Sequence, residues 1–145
     1  MRSRRHPRAT RGFACALFSG LMCVSAAQAQ SLSIELNRAD SRDEGCIAAF
    51  EIQNGTGQAL DRFNIDLYVF DAAGVLSDRL LVDLAPLRAG KTRIAAFPLS
   101  QDGCPSIGRL LVNDIPTCRA EATQEQMDCL DGLSVSSKAS ISLSK

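Results

Sequence analysis

Tryptophan is absent from this chain of 145 residues, and tyrosine and histidine occur once each. The lack of Trp and near-lack of Tyr leave little to stack against a sugar ring. The one histidine, His6, lies in an arginine-rich start, so the rest of the chain has no imidazole. Ser–His–Asp and Cys–His sites rely on that base, and they are excluded on this ground. No Gly-rich phosphate loop leads into a helix, and no G-x-S-x-G is present. Net charge is missing too: 16 basic residues balance 16 acidic ones, which excludes a highly charged disordered chain.

That balance is not uniform. Arg2, Arg4, Arg5, Arg8 and Arg11 open the chain without an acid, and an apolar stretch from Gly12 to Ala27 follows. Ala27-Gln28-Ala29 places small residues at −3 and −1, so residues 1–29 read as a cleaved signal peptide and Gln30 as the new N-terminus. Sixteen residues interrupted by Ser19, Gly20 and Ser25 are short for a membrane span. Cys15 and Cys23 lack a lipoprotein context. Arg4-Arg5 is a twin-arginine candidate, but His6-Pro7-Arg8 follows it, which favours the general secretory route. Residues 30–145 then keep 11 basic and 16 acidic residues, a net charge of −5, with four cysteines and no histidine. Such a charge repels phosphates and excludes nucleic acid as a partner.

Within residues 30–145, short alternating segments separated by turn residues predict strands over 32–36, 46–53, 60–70, 75–84, 91–99, 107–113 and 133–143. The clearest is Leu60–Phe70, with Phe63, Ile65, Leu67 and Val69 on one face and Asn64, Asp66 and Tyr68 on the other. Leu81 breaks the alternation of its segment. Pro98 places the end of its strand on a sheet edge. Arg119–Leu130, rich in Ala, Glu and Gln, predicts one short surface helix. The expectation is a single all-β domain, an immunoglobulin-like sandwich of about seven strands, with a small closed barrel as the alternative.

Cys46, Cys104, Cys118 and Cys129 allow three pairings. If successive strands run antiparallel, Cys46 and Cys104 meet at one end of the sandwich and Cys118 and Cys129 at the other. The expected bridges are therefore 46–104 and 118–129. By chain entropy the longer loop contributes about 4 kcal/mol and the shorter about 3 kcal/mol. No C-x-x-C is present, so a structural role is expected rather than a redox one.

Other residues are weaker candidates. Asp40, Asp43 and Glu44 form a loop of hard oxygen donors and are a calcium alternative. Asp61, Asp66, Asp71, Asp78 and Asp83 are the carboxylates for a hydrolytic alternative, which needs one acid of raised pKa facing another. Asn54-Gly55-Thr56 matches a glycosylation sequon but is equally a turn. Tyr68 is a partner anchor or a cross-strand packing residue.

Leu32–Asn37, Leu60–Leu99 and Arg109–Asp114 resemble a family of small exported alphaproteobacterial proteins labelled "Tat pathway signal sequence domain protein". The similarity spans nearly all of residues 30–145, the four Cys included. It implies a periplasmic location and carries over no catalytic residue. Leu67-Tyr68-Val69-Phe70-Asp71 with Gly74, and the loop from Leu84 to Thr92, resemble the F-x-L-Y-D type of extracellular sandwich module, at the level of fold alone. Together these readings point to a non-enzymatic, periplasmic or secreted binding or assembly module. No cofactor is expected, the expected partner is a protein or an envelope component, and no stable membrane insertion is expected after cleavage.

Overall fold

Alternation from Phe63 to Val69 builds the centre of the molecule. Phe63, Ile65, Leu67 and Val69 are all fully buried, while the residues between them face outward. The computed structural model describes residues 31–145, so the leader, its cleavage site and His6 lie outside the described residues.

Eight strands form among the described residues: β1 (Leu32–Arg42), β2 (Gly45–Asn54), β3 (Leu60–Asp71), β4 (Leu76–Asp83), β5 (Thr92–Ser100), β6 (Ile107–Ala120), β7 (Ser134–Ser137) and β8 (Ser142–Ser144). They make two four-stranded sheets, in the orders β5-β2-β1-β7 and β4-β3-β6-β8. The inward faces of both sheets enclose one core, with Phe50, Ile34 and Leu36 from the first sheet and Phe63, Leu67 and Leu110 from the second. Two packed sheets with unpaired edges are an all-β sandwich and not the closed barrel. β1, β2 and β5 oppose β4, β3 and β6 across the core, which makes the all-β sandwich expected from the sequence. β5 ends its sheet, as Pro98 required.

Two expectations are corrected. The helix over 119–130 does not form. β6 runs on to Ala120, and the chain then doubles back on it through bonds from Met127 N–H to the Cys118 carbonyl and from Ala120 N–H to the Glu125 carbonyl. The only helical turn among the described residues is the 3-10 turn Cys104–Ser106. Helix propensity here is worth tenths of a kcal/mol per residue. Pairing of Arg119 with Arg62 and of Ala120 with Leu60 on β3, together with the turn back onto Cys118, overrides it.

The segment 133–143 is not one strand but two. β7 lies parallel to β1, bends at 138–141 cross to the other sheet, and β8 lies parallel to β6. The alternation survives because Leu133, before β7, and Ile141, at the end of the crossing, both plug the core.

At the β1–β2 turn, Gly45 has φ of 108°, and a Cβ there would collide with the Ser100 carbonyl. That close approach brings the end of β5, and with it Cys104, against Cys46.

Candidate functional site

Both disulfides form as strand direction predicted: Cys46 with Cys104 and Cys118 with Cys129. Cys46 sits opposite Ser100 on β5, and the Ser41 hydroxyl accepts the Cys104 N–H at 2.9 Å, which fixes the 3-10 turn beside the bridge. Two disulfides in a chain of this size fit an oxidising compartment. Among the described residues, no helix is long and apolar enough to cross a membrane.

The calcium candidates do not assemble. Asp40 is on β1, opposite Ile47, with its carboxylate 2.6 Å from Arg38 and 3.9 Å from Arg42. Asp43 and Glu44 occupy the adjoining turn. Among the described residues, no three His, Cys, Asp or Glu side chains converge as a metal site.

Four of the five carboxylates of the hydrolytic alternative are engaged structurally; the fifth, Asp78, lines the groove described below. Asp66 is buried on the outward face of β3, where Arg79 donates to both of its oxygens (2.7 and 3.1 Å) and Asn113 to one (3.3 Å). Those donors, Arg79 above all, hold its carboxyl below the ordinary aspartate range against the opposing effect of burial. Asp61 is gripped by Arg119 in the same two-point manner at 3.0 and 2.7 Å, and its pKa is lowered chiefly for that reason. A general acid needs the opposite shift. Asp71 accepts the N–H groups of Ala73 and Val75 and shapes a turn, and Asp83 accepts that of Ala85.

Asn54 is fully buried. Its amide donates to the carbonyls of Gln58 and Leu87, and its oxygen accepts from the Thr56 N–H and hydroxyl. All four hydrogen-bonding positions are filled, so the sequon serves as the latch between two loops.

Tyr68 is half-buried on the outward face of β3, beside Arg79, whose guanidinium lies 5.6 Å from the ring centre. Arg109 lies closer still over Phe70, at 3.5 Å. Sequence reasoning missed this second pair because it depends on the β3–β6 register, which sets Phe70 opposite Arg109.

Sequence reasoning also missed a groove of about 810 Å³ at the margin of the sandwich, between β4 and β5. Its apolar floor comes from Ile47, Leu80, Pro98 and Leu99. Glu44, Asp78 and Asp102 line it as well, with no basic residue. The strands flanking it are the free edges of the two sheets, so unpaired backbone groups and carboxylates lie side by side. Glu44 thus belongs to the groove and not to a calcium loop. No family model, curated protein or solved structure matches this chain.

Proposed function

We propose that residues 30–145 form an exported, non-enzymatic recognition module that takes a protein or envelope component at the groove between β4 and β5. The observation that carries this reading is the groove itself: an apolar floor and three carboxylates between two unpaired strand edges. An extended, basic segment suits that combination. The edge of β5 supplies backbone hydrogen bonds, apolar side chains reach the floor, and cations meet the acids. The disulfides and the leader support placing the module in the periplasm or outside the cell. The resemblance to exported proteins and to extracellular sandwich modules agrees with that placement.

In-cell photo-crosslinking tests the reading. A photoreactive side chain at Gln101, in the groove, should give a discrete adduct. The same group at exposed Ser140, between β7 and β8 on the far flank, should not. Asp78→Lys with Asp102→Lys should abolish the Gln101 adduct while leaving the fold intact. Equal labelling from both positions, or an adduct indifferent to the two lysines, would overturn the proposal.

A further inference from the structure

Among the described residues β4 ends its sheet and pairs only with β3, so its other side presents backbone groups that no described strand pairs. Natural edges of this kind are usually guarded by lysines, prolines or inward charges. Here one such guard stands near the start of the edge, Asp78 opposite Val69, but the rest carries Leu81, 65% exposed, and Leu76, 49% exposed. Register with β3 fixes the faces. Arg79, Leu81 and Asp83 oppose Tyr68, Asp66 and Asn64 and point outward, whereas Leu80 and Val82 oppose Leu67 and Ile65 and point toward the core side.

We propose that this edge pairs with itself: β4 of one molecule adds antiparallel to β4 of a second copy about a two-fold axis at Leu81. The residues Arg79-Leu80-Leu81-Val82-Asp83 are self-complementary in that register. Leu81 faces Leu81 of the second copy. Leu80 faces Val82, and Val82 faces Leu80. Arg79 faces Asp83, and Asp83 faces Arg79. Opposed residues in an antiparallel pair share a face, and each of these pairs does: charges and Leu81 outward, Leu80 and Val82 inward.

Neighbouring registers fail. A shift that moves the axis between two residues sets outward side chains against inward ones. An axis at Arg79 opposes two arginines. An axis at Leu80 sets Asp78 against Val82 and Arg79 against Leu81, and one at Val82 sets Leu81 against Asp83. Only the Leu81 axis matches apolar with apolar and acid with base at all five positions. Asp83 offers Oδ2 for the contact, since Oδ1 accepts the Ala85 N–H and the Oδ2 ion pair to Arg62 is long at 3.7 Å and exposed. Arg79 meets it through Nη1, its Nε and Nη2 being held by Asp66. A contact of this kind is isologous and closes at two copies.

Sedimentation of the intact chain purified from its oxidising compartment tests the pairing. The native protein should show a concentration-dependent dimer. Leu81→Asp and Leu81→Lys each place like charges at the axis, and each should sediment as a monomer that melts where the native protein does at dilutions at which it is monomeric. An equimolar mixture of the two should recover the dimer, now a heterodimer. A native protein that stays monomeric to its solubility limit overturns the proposal. So does a Leu81→Asp variant that still dimerises, or a mixture that stays monomeric.

Discussion

Asp66 shows how a charged group can belong to the fold and not to chemistry. Its carboxylate is nearly enclosed, yet two donors on Arg79 and one on Asn113 keep it ionised. A folded-state pKa below the unfolded value means stability that is present above the unfolded pKa and lost as pH falls through the folded one. Asp66→Ala removes hydrogen bonds to a charge and should cost about 2 kcal/mol near neutral pH. The gap between the variant and the native protein, measured by urea unfolding, should hold steady from pH 7 down to the ordinary aspartate range and narrow below it. A gap independent of pH throughout would mean that the ionised carboxylate contributes nothing. None of this was legible in the sequence, where Asp66 is one of several aspartates in strands. Its partner Arg79 comes from the next strand, and only the register pairs Tyr68 with Arg79 and brings the guanidinium over Asp66. Leu81 was different. Its break in the alternation was visible, and the cause is an outward leucine on an edge strand.

At the scale of elements, alternation was a reliable guide where a strand has one buried face, as in β3, and a poor one where propensity and covalent constraint disagree. The residues from 119 to 130 favour a helix one by one. A helix rises about 1.5 Å per residue, so residues 11 apart would stand roughly 16 Å from each other. Cys118 and Cys129 are bridged with their Cα atoms 6.2 Å apart. The expected disulfide and the expected helix therefore exclude each other, and the conflict was already present in the sequence. The split of β7 from β8 was not, because inward residues recur at the same period on both sides of the crossing. The two bridges should also differ in weight. Cys46–Cys104 closes a separation of 58 residues and Cys118–Cys129 one of 11, so chain entropy assigns about 4 and about 3 kcal/mol. Replacing the first pair with Ala should lower the unfolding midpoint more than replacing the second. The reverse order in urea titrations would show that the doubled-back segment after β6, and not loop closure, dominates.

For the molecule as a whole, the proposed export would couple compartment to stability. The two bridges together contribute about 7 kcal/mol if they act independently. Domains of this size are stable by only about 5–15 kcal/mol in total. The sandwich, with four Phe and no Trp after residue 29, has a modest aromatic core to set against that loss. Folding should therefore depend on oxidation, and oxidation on export. Expressed with residues 1–29, the chain should appear in the periplasmic fraction with a mass that begins at Gln30 and is four hydrogens lighter than its reduced form. Expressed from Gln30 in a reducing cytoplasm, the same residues should be cleared by proteases, and an oxidising cytoplasm should rescue them. An intact Met1 form in the membrane fraction would refute cleavage. A reduced cytoplasmic form as protease-resistant as the exported one would uncouple the fold from its bridges, leaving the sheet cores to hold the groove and the β4 edge in place.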